Sequence, residues 1–410
     1  MRIKSTRRLP AQVLANSIHF FRAPMSAPSL ASSPLRGTQP VHPFRPLFLA
    51  ASAASSLGLL LWGAFLHLGF LPQGPLPPIL WHGHAMLFGF AGALVGGFLL
   101  TAAGNWTGRP TAGKPALGAL CAAWLLAQIA LLAPVAIWIG AGFELAYLLG
   151  LAVLLARVVI ATRNRRNYFV IGLLLAYAAL DLTFFIGASR DQALAAQALF
   201  WTVDWLSLLM LVIGGRVIPF FTGRRMPQVK AVDYKLLAGI VNVSAALALT
   251  FDIVALAPQL RGGLWLSLAV LTLVRMLCWR GWRTGSEPML WSLHLGYAWL
   301  AIGMALRGMA LLGIWSQSET TAMHGITVGA LGTLSLAMMT RVAQGHGGAT
   351  IRASRWLALA FVLPSIAALL RLAGPPVLWT TAATLWTLAF LIYLFNLGPL
   401  LVRGRPPAGE

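Results

Sequence analysis

Residues 82–103 read HGHAMLFGFAGALVGGFLLTAA, a stretch of 22 residues that contains no Lys, Arg, Asp or Glu. A helix needs about 20 predominantly apolar residues to cross the hydrocarbon core of a bilayer. The stretch therefore predicts a transmembrane helix, and it places two histidines at the start of that helix.

Other stretches of similar length and character lie along the whole chain. Of its 410 residues, 59% are hydrophobic and only 10% are charged, whereas a soluble domain has about 25% charged residues. We therefore predict an all-α fold, a polytopic transmembrane helix bundle of about 12 helices. The break between the third and fourth spans is placed at Gly140 and Gly142, after Pro134. The predicted spans are 47–70, 82–103, 117–138, 141–162, 168–187, 192–213, 236–256, 263–283, 289–312, 320–343, 354–373 and 377–402.

Basic residues cluster between these spans, and nearly all of them fall on one side of the predicted membrane. The exceptions are Arg190, Arg261 and Arg371 on the other side and Arg307 within a span. Because cytoplasmic loops carry an excess of Lys and Arg, both termini are predicted to be cytoplasmic. The net charge of +21 thus reflects membrane topology. The basic residues form no single stripe with interleaved aromatics, so we predict membrane lipid around the protein and no nucleic acid partner.

The two ends of the chain differ from the bundle in composition. Residues 1–41 contain no acidic residue and are rich in Arg, Ser and Pro, which predicts a disordered basic arm, although the composition is also typical of an organelle transit peptide. The transmembrane domain is placed at 42–405 and a short tail at 406–410. Since no long soluble domain remains, the function must lie in the bundle.

The histidines fall at two depths once the spans are placed. Imidazole is the commonest metal ligand in proteins, and it suits copper and iron. Histidines from different helices at one depth can therefore bind a metal ion or a haem iron, whereas a single buried histidine is more often a hydrogen-bonded packing residue. The predicted outer group is His67, His82, His84 and His324, and the inner group is His42, His294 and His346.

The spacing of His82 and His84 limits what the outer group can do. Two residues apart on a regular helix, their rings point about 200° away from each other, unless Gly83 lets the backbone adapt. The tenth span also begins with a histidine, His324, and both of these spans are rich in glycine. Small residues let helices approach closely, so the two spans are predicted to pack tightly or to hold a flat cofactor between them.

A few charged side chains within or beside the spans complete the set of candidates. Asp204 is predicted near mid-membrane, where it can pair with Arg307, relay protons or orient a histidine as the partner of a ligand. Arg307 can alternatively bind a haem propionate. Arg109 and Arg216 lie in two predicted cytoplasmic loops, 105–110 and 214–224. Both arginines either anchor these loops at the membrane interface or contact a cofactor.

Six segments have long and specific sequences that occur in a fixed order. Together they resemble the NnrS family, over the chain from about residue 42 to its end. They are PFRPLF at 43–48, WHGHAMLFGF at 81–90, GFLLTAAGNWTGRP at 97–110, NRRN at 164–167, GGRVIPFFT at 214–222 and HGITVGALGTLSLAMMTRVAQGH at 324–346.

The resemblance implies a multi-pass protein of the bacterial cell inner membrane that contains haem and copper. It also implies a link to denitrification and to protection against nitric oxide and nitrosative stress. One departure from the family pattern is Ala85, where an acidic residue is expected after the first histidine pair. By position in these segments, the metal or haem ligands are expected among His82, His84, His294, His324 and His346.

Three functions remain open at this point. The leading hypothesis is a haem- and copper-binding protein that protects against nitrosative stress, with nitric oxide or a metal–nitrosyl species as its partner. The first alternative is a secondary transporter of a small solute or metal complex, which twelve spans and glycine-rich helices would suit. The second is a membrane oxidoreductase that acts on nitric oxide or an iron–nitrosyl species. The residues alone assign neither iron nor copper to a particular histidine, and they indicate no oligomeric state.

Overall fold

A computed structural model describes residues 42–375 and 377–404. The predicted arm at 1–41 and the predicted tail at 406–410 lie outside the described residues. Within the described part every regular element is a helix and none is a strand. Eleven of its helices are long and apolar enough to cross a membrane, which confirms the prediction of a polytopic helix bundle.

Twelve helices, counted through short internal changes of helix type, follow the predicted spans in order. They are α1 Phe44–Leu68, α2 Pro78–Thr107, α3 Lys114–Ala130, α4 Ile137–Ala161, α5 Arg165–Arg190, α6 Gln192–Arg225, α7 Lys235–Ile253, α8 Pro258–Trp279, α9 Pro288–Leu311, α10 Glu319–Gly347, α11 Arg355–Leu372 and α12 Val377–Arg403. The shorter apolar helix, α3, is the one that falls outside the eleven. We call the end at which α2 and α10 begin the outer end, following the predicted orientation, and the opposite end the inner end.

The break between α3 and α4 lies earlier than predicted. Helix α3 stops at Ala130, and the chain turns through Pro134 before α4 begins at Ile137. Gly140 and Gly142 are therefore helical, and a side chain on Gly140 would meet Leu131 at 2.9 Å. Proline, which has no backbone N–H to donate, ends the helical pattern here, whereas Gly140 permits a close helix approach.

The two predicted cytoplasmic loops are largely helical. Helix α6 continues to Arg225 and so includes the whole of 214–224, although Pro219 lies inside it. A proline leaves the carbonyl four residues earlier without its helical partner. That carbonyl belongs to Gly215, and it accepts a hydrogen bond from Arg275 Nη2 at 3.2 Å. Likewise α2 runs to Thr107 and ends at Gly108, whose φ of +65° favours glycine.

Helices α2 and α10 lie at the centre of the bundle. In an apolar stretch of 18 residues within each helix, 78% and 72% of the residues are buried, against 22% for the corresponding stretch of α7. Each contains a π-helical segment directly after a histidine, Ala85–Phe90 in α2 and Gly325–Leu331 in α10. Such segments are rare and occur frequently at functional sites.

Side chains from three neighbouring helices complete the hydrogen bonding of α2 along and just beyond its π-helical segment. Tyr177 donates its hydroxyl hydrogen to the carbonyl of Leu87. Trp124 Nε1 donates to the Gly89 carbonyl at 2.9 Å, and the Tyr147 hydroxyl donates to the Gly92 carbonyl at 3.0 Å. All three donors are buried, so this segment is held by tertiary contacts as well as by its own backbone.

The outer end also contains a buried network of ion pairs. Arg307 of α9 is fully buried and contacts Asp204 of α6, Asp252 of α7 at 3.1 Å and Glu319 of α10 at 2.8 Å. Arg261 of α8 contacts Asp252 and adds a second cation. Of the roles predicted for Asp204, the structure shows the ion pair with Arg307. The network joins the start of α10 to four other helices.

Candidate metal centre at the outer ends of helices α2 and α10

His82 and His324 line one cavity at the outer end of the bundle. The volume of this cavity is about 80 Å³. Met86 of α2, Trp62 of α1, Arg371 of α11 and Trp379 of α12 also line it. The convergence arises because α2 and α10 begin at the same end and pack at the bundle centre.

The ring of His82 is held by an aromatic neighbour. It stacks on the Trp62 ring at 4.3 Å between centroids, with 14° between the planes. Its Nδ1 atom is buried and has no hydrogen-bond partner within the described residues. A buried polar atom without a partner is costly, so this nitrogen is chemically suited to a ligand that the protein itself does not supply.

His324 has one of its two ring nitrogens engaged. Its Nδ1 lies 2.8 Å from the carbonyl oxygen of Thr320, and because a carbonyl only accepts, Nδ1 carries the proton. The neutral ring then has its lone pair on Nε2. This pattern, a backbone carbonyl that holds one nitrogen and frees the other, is typical of metal-ligating histidines.

Met86 adds a thioether to the two imidazoles. It lies one turn after His82, in the π-helical segment, and lines the same cavity. Imidazole and thioether are ligands that suit copper, and two imidazoles suit a haem iron. Within the described residues, no group of three or more His, Cys, Asp and Glu side chains has the arrangement of a metal site. A metal here would therefore depend on these three side chains and on a ligand from outside the chain.

Two side-chain nitrogens of other lining residues, one from Arg371 and one from Trp379, are suited to binding an anion. The Arg371 guanidinium lies 4.1 Å above the ring centroid of Trp379. Arg371 Nη1 and Trp379 Nε1 are both buried, and neither has a hydrogen-bond partner in the described part of the chain. A carboxylate, such as a haem propionate, or a small anion bound to a metal would satisfy both donors. The donor set of the cavity thus fits either cofactor that the sequence predicts.

His84 does not join His82. The backbone at 78–84 is a regular α-helix, so Gly83 does not bend it, and the two rings diverge as ideal geometry predicts. His84 is fully buried, and its Nε2 lies 2.9 Å from Asp181 Oδ1. Gly83 instead allows close packing, because a side chain there would meet Leu199 at 2.6 Å.

A second buried carboxylate lies in the region of His84. Glu144 is fully buried and accepts a hydrogen bond from Gln128 Nε2 at 2.9 Å. Oxygens of Glu144 and Asp181, together with His84 Nδ1, have no partner among the described residues. Ala85, where the family pattern has an acid, packs in an apolar cluster with Ala198 of α6.

The predicted inner histidines are divided between two places. His346 Nε2 lies 3.2 Å from Asn105 Nδ2, and its ring is 5.9 Å from Phe44, which also lies 5.6 Å from His42. Burial, Arg45 and His346 together lower the pKa of His42 below its usual value.

His294 lies apart from this inner pair. Its Nε2 is 3.0 Å from Thr222 Oγ1, and its ring meets the Trp279 ring edge-on. A side chain on Gly281 would meet the His294 ring at 2.5 Å, so the chain packs closely around this histidine. The Nδ1 atom of His294, like that of His82, is buried and has no hydrogen-bond partner among the described residues.

The three arginines predicted to bind a cofactor do not line the outer cavity. The guanidinium of Arg307 is occupied by three carboxylates, which replaces the predicted contact with a propionate. Arg216 is exposed and lies 4.9 Å above the Phe169 ring. Arg109 lines a separate surface pocket with Arg157. Both therefore fit the alternative role at the membrane interface.

Sequence reasoning missed Met86, Trp62, Arg371 and Trp379. Arg371 carried a signal, since it is one of few basic residues on the predicted outer side. Met86 lies within the predicted span 82–103, but a methionine in an apolar span is ordinarily a packing residue. The two tryptophans carried no signal, because aromatic residues near span ends are common in any membrane protein.

One family model matches the chain. It is described as NnrS protein, and the match covers residues 41–405. This confirms the resemblance found in the sequence, and the matched range includes every residue of the outer cavity. No curated protein matched the chain.

Proposed function

The chain belongs to the NnrS family, and on that premise we propose that it is a haem- and copper-binding protein of the bacterial inner membrane that protects against nitric oxide and nitrosative stress. The proposal includes the association with denitrification that the family carries. The observation that supports it best is the convergence of His82 and His324 with Met86 on one cavity.

The outer cavity would hold the metal through His82 and His324, with Met86 as a third donor. Trp62 fixes the plane of the His82 ring, and the Thr320 carbonyl fixes the protonation state of His324. When bound, copper or haem iron supplies reversible binding of nitric oxide and one-electron chemistry. Arg371 and Trp379 would hold a propionate or a metal-bound anion by donating hydrogen bonds from their unpaired nitrogens.

The other candidate histidines do not line the outer cavity and are given other roles. His84 and His294 each have a protein partner at Nε2 and a buried Nδ1 without one, and neither lines the outer cavity, so we assign them to hydrogen bonding within the bundle. The rings of His42 and His346 both lie near the Phe44 ring at the inner end, at 5.6 and 5.9 Å between centroids, and they offer a second pair of imidazoles for the other cofactor.

Metal content tests the proposal directly. The solubilised wild-type protein is expected to show a haem Soret band and bound copper. His82→Ala and His324→Ala should each lower the content of the same metal, because the site has few other donors. His67→Ala is the matched control, since this histidine is at the same end but lines a different cavity.

Two outcomes would count against the proposal at different levels. Wild-type protein with neither haem nor copper would refute the cofactor assignment. Full metal content in both variants would refute the outer site alone. Growth under a nitric oxide donor, compared between cells with the wild-type protein, each variant or no protein, tests the protective role.

A further inference from the structure

A second cavity lies directly inward of the first, in the middle of the bundle. Residues of α1, α2, α6, α9 and α10 line it, and its volume is about 100 Å³. Val95 lies near the middle of α2 and Leu334 near the middle of α10, which places the cavity at mid-depth of the predicted membrane. Neither the ion-pair network nor the candidate metal site extends into it.

The walls of this cavity offer nothing to a polar ligand. Among the described residues that line it, the polar side chain is Ser335, and its hydroxyl already donates to the Gly332 carbonyl at 2.9 Å. A buried water needs two to four polar partners, so the cavity is dry. The lining has no histidine to ligate iron and no arginine to hold a propionate, which excludes a haem as the occupant.

The cavity is also too small for a large apolar molecule, because its volume of about 100 Å³ is below the roughly 150 Å³ of an apolar cavity that binds benzene. Phe48, Leu206, Ile218 and Leu293 line the cavity, and each is at most 1% exposed. An acyl or isoprenoid chain would have to displace these side chains to be accommodated. A small uncharged molecule needs no such displacement, and apolar cavities bind xenon or benzene.

One residue connects the two cavities. Leu331 lines both of them, and it is the last residue of the π-helical segment that follows His324. Its side chain therefore separates the dry cavity from the space where His82 and His324 converge. Rotation of a leucine side chain is fast compared with helix motion, so Leu331 can act as a partition that opens without a change of fold.

We propose that the inner cavity is a chamber that takes up small uncharged gas molecules from the bilayer and passes them to the outer cavity beside Leu331. Apolar solutes move favourably from water into apolar surroundings, so the chamber would hold such gases at a higher concentration than in water, next to the candidate metal centre. The proposal of a gas chamber rests only on the residues that line the inner cavity. The delivery step rests on the proposed function, because it requires a metal between the two histidines.

Xenon tests the chamber without any cofactor. Binding is measured by xenon-129 NMR on the purified protein in nanodiscs and located in crystals pressurised with xenon. Val95→Phe and Val217→Phe place a ring in the cavity from two different helices. Val153→Phe is the matched control, because Val153 is 57% exposed on α4.

The wild-type protein and the control are expected to bind xenon in this cavity, and both filling variants should lose that binding. Thermal unfolding of each variant checks that it is folded, and the second filling variant serves if the first fails to fold. Absence of xenon from the wild-type cavity would overturn the chamber, as would unchanged binding in a folded filling variant. A lipid or isoprenoid chain found in the cavity would overturn it as well.

The delivery step is tested by the rate at which nitric oxide binds to metal-loaded protein in stopped-flow measurements. Filling the chamber should slow association by about tenfold, equivalent to ~1.4 kcal/mol of added barrier, while the Val153→Phe control keeps the wild-type rate. An unchanged rate in a variant that has lost xenon binding would overturn delivery. Wild-type protein without metal would instead be a failure of the proposed function, and the xenon result would stand apart from it.

Discussion

Replacing Arg307 with methionine removes a cation that three carboxylates share. The guanidinium is fully buried and contacts Asp204, Asp252 and Glu319. Removing one partner of a buried ion pair costs about 3–5 kcal/mol, because the remaining charge is left in a low-dielectric interior. Asp204 has no other cation in contact among the described residues, whereas Asp252 retains Arg261. We therefore expect the cost to lie in this range and to arise mainly at Asp204.

The assay is thermal unfolding of the purified protein in detergent. Arg307→Met should lower Tm by about 6–10 °C, taking roughly 2 °C for each kcal/mol in a chain of this size. Arg190→Met is the matched control, because Arg190 is exposed at the same end and its loss should leave Tm within about 1 °C, as expected for a surface residue.

A double variant separates charge from packing. Arg307→Met combined with Asp204→Asn removes the unpaired charge, so it should recover part of the loss in Tm. If the double variant is no more stable than Arg307→Met, lost packing rather than an unpaired charge explains the effect. If Arg307→Met unfolds at the same temperature as Arg190→Met, the reasoning about the buried network is refuted. Because Glu319 ties the start of α10 to Arg307, the variant should also bind metal more weakly beside His324.

Two further predictions concern the helices that carry the histidines. Gly329→Ala would place a methyl group 2.5 Å from the Trp299 ring and should destabilise the fold by about 1–3 kcal/mol. Gly63→Ala is the control, because a side chain there would meet no atom within 4 Å, and it should not lower Tm. Equal unfolding temperatures for the two variants would contradict the close packing of α10. His84→Ala should lower Tm because it removes the partner of Asp181, yet leave the metal content of the outer site intact; loss of that metal would show that His84 belongs to the site.

The positions of the helices were largely predictable from the sequence. A span must cover a fixed thickness with apolar residues, which is a local property, so each of the twelve predicted stretches corresponds to a helix. The errors occurred where tertiary contacts override local signals. The sixth span was predicted to end at residue 213, before a loop at 214–224, but Arg275 satisfies the carbonyl of Gly215 that Pro219 leaves free, and α6 continues to Arg225.

The candidate site was predictable only in part. The depth of each histidine followed from the spans, and this correctly placed His82 and His324 at one end of the bundle. It also placed His84 there, but Asp181 of a different helix binds that ring. Sequence spacing specifies the direction of a side chain relative to its own helix. It does not specify which other helix packs on that side.

The sequence by itself determined that the chain is a helical membrane protein and which side chains begin its second and tenth spans. Only the tertiary structure decided that His82 faces His324, Met86 and Arg371, while His84 faces two buried carboxylates. The physical reason is that a transmembrane span is recognised from the summed hydrophobicity of residues that are adjacent in the sequence. Convergence on a cavity depends on how helices pack, and the neighbours Trp62 and Trp379 come from other helices than His82 and His324.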